Sequence, residues 1–186
     1  NTQDTKIYTA KVYLDCTGNG DIGDKAGVPS VVGNEKGLMM GASITFFMEN
    51  VNWEKVFSNN SDPYFTKYAE KGIREGRIDK SIPQIYMLKG FRKGSVFFNT
   101  VTVTGVDGRD SVSILKGTNQ ARKRAMELAI FCQEEIPGFE NSFISYVGPL
   151  VGIRETRKLE GMYKITYEDV AGAAKFEDGV VACDNP

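Results

Sequence analysis

Apolar and polar positions alternate over residues 6–15, with Ile7, Val12 and Leu14 apolar and Asp15 closing the run, and this period of two predicts a strand. Residues 42–48, rich in β-branched and aromatic types, predict a second strand, and residues 82–88, 95–103 and 143–151 predict three more. The strand over 95–103 runs into a turn at Gly105-Val106-Asp107-Gly108. Helical patterning begins at 50–57, where Asn50 and Asn52 precede the apolar positions, and the polar stretch 58–63 breaks it. A helix over 63–75 follows, with Pro63 in its first turn and Gly76 past its end. The clearest helix spans 118–135: Ala121, Ala125, Leu128, Ala129 and Cys132 recur at three and four residues, while Arg122, Lys123, Arg124 and Glu127 take other faces. Arg122, Lys123 and Arg124 are therefore expected on its wet side. Pro137-Gly138 stops this helix, and residues 163–166 lead into a short helix from Glu168. Strands and helices do not alternate strictly and no internal repeat is visible, which favours an α+β arrangement over a doubly wound sheet.

Composition narrows the class without changing that outline. The chain has 186 residues, 41% hydrophobic and 25% charged, enough for one good core or a core with a smaller lobe. Its 23 basic and 24 acidic residues are spread along the chain and leave a net charge of −1, so nothing in the electrostatics recommends a nucleic-acid partner. No apolar run approaches membrane-spanning length. The cysteines Cys16, Cys132 and Cys183 lack C-x-x-C spacing and leave one unpaired, which suits a reducing cytoplasm and structural or incidental thiols. Histidine is absent, which excludes His-based triads and His-ligated zinc within the chain, and no metal site is expected.

The most specific chemistry sits at Asp15-Cys16-Thr17-Gly18-Asn19-Gly20-Asp21-Ile22-Gly23, directly after the apolar run 10–14. Read literally, Gly18-x-Gly20-x-x-Gly23 is a dinucleotide fingerprint, which needs a helix of about three turns to hold a pyrophosphate and pack on a sheet. Ala26-Gly27-Val28-Pro29 ends any such helix almost at once. A partner acid is also missing at the right distance, since Glu35 is too close and Glu49 too far for a ribose contact about twenty residues on. The segment reads instead as a strand entering a tight glycine-rich turn that opens a short acidic helix. An NAD-binding Rossmann-like module and a non-catalytic interaction domain are the alternative readings.

That arrangement, Asp15-x-Thr17-Gly18-x-Gly20-Asp21 followed by a short helix and Ala26-Gly27-Val28-Pro29, resembles the flavin-contacting segment of bacterial FAD-dependent oxidoreductases with a glutathione-reductase or fumarate-reductase type of FAD domain. Val151-Gly152-Ile153-Arg154-Glu155-Thr156-Arg157-Lys158 resembles the family's Gly-x-Arg-Glu-Ser/Thr-Arg-Arg motif. Gly37-Leu38-Met39, Val96-Phe97-Phe98-Asn99 and Pro137-Gly138-Phe139-Glu140-Asn141 follow its order and rough spacing. Asn19, Cys16 and Lys158 depart from its usual Asp, Ala and Arg. The resemblance implies a middle portion of a longer flavoprotein. Residues 1–28 would belong to the edge of the FAD domain, 29–147 to a substrate or cap domain, and 148–186 to a segment returning to the FAD domain. The cap would be a mixed, largely antiparallel sheet with helices on one face. The fingerprint for the ADP half of FAD is expected upstream of Lys6, so the isolated chain is expected neither to hold FAD nor to be active. Asn1-Thr2-Gln3-Asp4-Thr5 carries neither an initiator Met nor an apolar signal stretch, so no targeting is read from it. The partners implied are a small-molecule substrate and the remainder of the flavin domain, with no nucleic acid and no membrane.

The same resemblance nominates residues. Thr17, Gly18, Gly20 and Asp21 would contact the flavin through a closely approaching backbone, the alternative being a plain strand-to-helix turn with Asp21 as a helix-terminal charge. At Gly20, close approach to the cofactor is expected to outweigh backbone strain. Arg154 and Arg157 would stabilise the reduced flavin or a substrate carboxylate, with Glu155 gripping one of them in a two-pronged ion pair, the alternative being a solvated charged stretch. Met39 and Met40 would line an apolar substrate wall or else fill the core.

Overall fold

The computed structural model describes residues 6–58 and 60–182. Cys183 lies outside the described residues. The chain divides into two compact units, one running from Val32 to Thr156 and the other built from the residues up to Val31 and those from Arg157 on.

In the first of these, an antiparallel four-stranded sheet is ordered β3 (Met87–Lys89), β4 (Val96–Val103), β2 (Ala42–Glu49), β5 (Phe143–Val147). The alternation along β2 is real: Ala42, Ile44, Phe46 and Met48 are buried and the intervening residues are not. Phe46 stands opposite Phe98, their rings stacked at 4.4 Å, and Phe139 meets Phe98 edge-on at 6.1 Å. The long helix α4 (Ser111–Glu135) packs on this face against β2, β4 and β5. Ala121, Ala125 and Ala129 give the helix a low ridge that lets it approach the strands, and Leu128, Phe131 and Cys132 fill the space beside them. The result is an α+β fold. On the opposite face Leu88, Phe97, Phe47 and Tyr146 are cross-strand neighbours in a row over all four strands.

Helix α4 starts seven residues before the periodicity predicts. Asp110 is its N-cap, accepting hydrogen bonds from the amides of Val112 (3.0 Å) and Ser113 (3.2 Å). Gly117 lies inside the helix with Val106 in the place of a side chain: a Cβ there would fall 2.5 Å from Val106 Cγ2. The stop is as expected, since Ile136, the residue before Pro137, is forced into extended geometry. Of the three basic residues expected in water, Lys123 is exposed, but Arg124 turns inward. Only 13% of its side chain is exposed, and its guanidinium donates to the Thr102 carbonyl (2.6 Å) and to Asp79 (2.9 Å). Arg122 donates to the Pro149 carbonyl at 2.9 Å. Helix periodicity marks Arg124 as polar, yet a long stem lets a residue at the edge of the apolar stripe reach a strand carbonyl.

Helix α2 (Trp53–Ser58) and helix α3 (Thr66–Arg74) complete this unit. The start of α3 is set by Asp62 rather than Pro63, because its carboxylate accepts from the amides of Tyr64 (2.9 Å) and Thr66 (2.7 Å). The predicted strand over 82–88 shrinks to β3, with Ile82 and Ile85 buried in the turns before it. The one over 143–151 stops at Val147, before Gly148-Pro149.

The second unit holds α1 (Asp21–Lys25), β1 (Ser30–Val32), which ends at the unit boundary, β6 (Arg157–Leu159) and α5 (Tyr167–Ala171). β1 and β6 pair with each other, and neither is apparent in the sequence pattern. Residues 163–166 are not a strand, and Thr166 caps α5 in a reciprocal capping box with Asp169. The largest departure is at residues 6–14, which form no strand with any described segment: Ile7, Val12 and Leu14 are 90%, 72% and 78% exposed. Alternation records which side chains seek burial, but a strand also needs a hydrogen-bonded neighbour.

The Asp110 cap yields a direct test of the long helix. Asp110→Ala should destabilise the protein by about 1 kcal/mol, read as a lower midpoint in urea with unchanged slope.

Candidate functional site: the Asp15–Gly23 turn and the Arg154–Arg157 segment

The turn at 15–23 is organised by one carboxylate. Asp15 Oδ1 accepts from the Thr17 amide (2.9 Å) and the Thr17 hydroxyl (2.6 Å), and Oδ2 accepts from the Gly23 amide (2.8 Å). These donors, the Thr17 hydroxyl foremost and then the Gly23 amide, hold the Asp15 carboxyl down at about 2. Thr17 passes the restraint on, since its Oγ1 also accepts from the Asp21 amide at 2.7 Å. Its carbonyl takes the Gly20 amide at 3.3 Å. Side chains that the sequence offers as ligand contacts are thus largely spent on the turn itself.

The three glycines have different reasons. Gly20 has φ +64°, the left-handed region, as N-cap of α1. Backbone geometry therefore supplies a requirement at Gly20 that the sequence reading assigned to cofactor approach. Gly23 is buried under Leu159, whose Cδ1 would lie 2.5 Å from a Cβ. Gly18 has neither constraint, and a Cβ on it would meet nothing within 4 Å. The literal dinucleotide reading fails on the helix: α1 has five residues and carries Asp21 and Asp24 in its first turn, where a pyrophosphate would be repelled. The four-stranded sheet is antiparallel throughout, unlike a Rossmann sheet.

Arg157, in β6, reaches this turn. Its Nη1 donates to Asp21 Oδ1 at 2.7 Å and to the Asn19 carbonyl at 3.1 Å, and its Nε lies 3.3 Å from Asp24 Oδ2. Thr17, Gly20, Asp21 and Arg157 are therefore brought together, with Asp15, Asp24 and Leu159 as members that sequence reasoning missed. The Asp15-x-Thr17 spacing, an Asx-turn signature, marks the first of these. Nothing in the sequence marks Leu159.

Met39, Met40 and Arg154 belong to the other unit. Glu155 Oε2 accepts the Met40 amide at 2.8 Å. Alongside, Ser43 and Gly152 exchange backbone hydrogen bonds, so the start of β2 and the loop before it are fastened to the 152–155 segment at two points. Met40 is 56% exposed and Met39 half-buried, so neither methionine is a core filler. Arg154 is exposed, with no hydrogen bond or ion pair to any described residue. Thr156 is buried, and its Oγ1 has no hydrogen-bond partner among the described residues. Among those residues no helix is long and apolar enough to cross a membrane.

The Asp15 network carries a pH dependence. Its folded-state value of about 2 lies below that of an unstructured aspartate, about 3.9. Its contribution is therefore complete above about pH 4 and lost as pH falls towards 2. Acid titration of amide exchange at Thr17 and Gly23 should show protection failing in that window. Asp15→Asn should flatten the response.

No match was found among curated proteins or among solved structures. The family of FAD dependent oxidoreductases, by contrast, matches residues 1–186. The match includes both the glycine turn braced by Asp15 and the arginine, Arg157, that reaches it. The chain belongs to the FAD dependent oxidoreductase family.

Proposed function

We propose that this chain contributes the substrate domain, and part of the flavin-contacting surface, of a FAD-dependent oxidoreductase. In this reading the turn Thr17–Asp21 lies against the flavin ring, and Arg154, Met39 and Met40 face a small-molecule substrate. The observation that carries the proposal is Gly18, an exposed glycine with ordinary φ and open space about it. Glycine costs about 0.4–1 kcal/mol in unfolded-chain entropy relative to alanine, and no described residue occupies the place of its side chain. A flat ligand approaching the backbone does. The residues fit the ring part of FAD better than its diphosphate: Asp15, Asp21 and Asp24 make the turn acidic, which a neutral heterocycle tolerates and a diphosphate does not.

FAD, when bound, supplies the hydride acceptor, and the polypeptide supplies orientation and charge. Arg154 suits the second role because no carboxylate among the described residues pairs with it. A fixed cation of this kind stabilises an anion on the substrate or one formed by hydride arrival. Met39 and Met40 offer polarisable apolar surface that adapts to a ligand. Cytoplasmic location, from the unpaired cysteines, belongs to the same proposal.

Two measurements on the full-length protein test it. Gly18→Ala should stabilise the apo protein slightly, by about 0.4–1 kcal/mol, and weaken FAD binding about tenfold or more, whereas Gly20→Ala should cost the apo protein about 1 kcal/mol. Wild-type FAD affinity in Gly18→Ala would remove the turn from the cofactor site. Separately, Arg154→Met should slow substrate-driven flavin reduction by about 10²-fold in stopped-flow absorbance, with folding intact. Equal rates would leave Arg154 a solvated surface charge.

A further inference from the structure

We propose that Arg157 is a positioning residue that mounts the 17–24 segment on β6, and that it is not the cation serving the reduced flavin. The proposal rests on the reading of that turn as flavin-facing. Residues two apart on a strand share a face, and on β6 those two are Arg157 and Leu159. Leu159 seats the turn from below: its side-chain carbons would lie 2.5 Å from a Cβ on Gly23 and 3.1–3.3 Å from one on Gly20. Arg157 grips the same segment through polar groups, spanning the Asn19 carbonyl, Asp21 and Asp24. One strand face thus supplies an apolar seat and a polar clamp to a single short segment.

The electrostatics separate the two arginines. Arg157 is only 17% exposed and stands between two carboxylates, so its charge is cancelled where it sits. A cation so neutralised offers little field to an anion elsewhere. Arg154 has no such partners among the described residues. The grip also depends on shape, because a planar fork can meet three acceptors in different directions and an ammonium group on a lysine stem cannot hold them all.

The test uses the full-length protein with and without FAD. Arg157→Met should raise the FAD dissociation constant by about tenfold or more, the scale of losing a charge-assisted hydrogen bond. In the apo protein it should speed amide exchange at residues 18–23. The two-electron midpoint potential of the bound flavin should stay at its wild-type value. Asp21→Asn/Asp24→Asn, which leaves the arginine in place, should reproduce both losses, and joining it to Arg157→Met should add little. Arg157→Lys should restore only part of the affinity. A lowered midpoint potential with unchanged FAD affinity would overturn the proposal and make Arg157 the stabilising cation. Unchanged affinity, exchange and potential would reduce it to a surface ion pair. If Arg157→Met does not fold, the double aspartate variant reads the affinity and the exchange, and unchanged values of both would overturn the clamp. Faster exchange in the apo protein, together with unchanged FAD affinity in Gly18→Ala, would uphold the clamp while removing the turn from the flavin.

Discussion

The close approach of α4 to the central strands β2 and β4 is the contact on which the larger unit depends. It is possible because the helix presents Ala121, Ala125 and Ala129 where a bulkier row would hold it off, and because β2 and β4 answer with large side chains, Phe46 and Phe98 among them. Small facing large is how a helix and a sheet reach crystal-like density without strain. Once the helix is seated, its length, fixed by Asp110 at one end and by Pro137 at the other, determines where its polar flank lies. Arg124 can then tie the helix to the carbonyl of Thr102 on β4 and to Asp79. The same helix orders the region around Val151, whose amide donates to the Thr118 hydroxyl at 3.3 Å, just before the segment that carries Arg154 and Glu155.

The smaller unit follows another principle. It has little apolar burial of its own, and its turn is held by hydrogen bonds to Asp15, by the seat of Leu159 and by the three-way contact of Arg157. Preorganised polar contacts of this kind keep backbone groups in place for a ligand without a large core beneath them. The two arginines of one motif consequently have different environments three residues apart, one open and one enclosed by acids.

Much of this was legible in the residues, for reasons that can be named. β2 and β4 could be read because both are rich in β-branched and aromatic residues, and in β2 one face is buried and the other is not, so its pattern has period two. The core of α4 could be read from its alanine and leucine spacing. The true beginning of α4 could not, because its first turns carry Val112 and Leu115 exposed, outside the apolar stripe, and the start is set by the Asp110 cap. β1 and β6 have three residues each, too few for any period to show. The glycine turn and the two-arginine motif stood out as chemistry, and the family they resemble is the one to which the chain belongs. Their internal geometry was hidden: Glu155 turns to the Met40 amide and Arg157 to Asp21 and Asp24, choices made by chain path and not by residue type.

The partnership of Asp21 with Arg157 spans 136 positions of sequence, and the whole larger unit lies between them. As the chain leaves the ribosome, Val32–Thr156 can collapse as soon as it is complete, whereas the glycine turn waits for β6 to be synthesised. Closing so long a loop carries an entropic cost that grows only slowly with its length, and folding the intervening unit first shortens the effective gap.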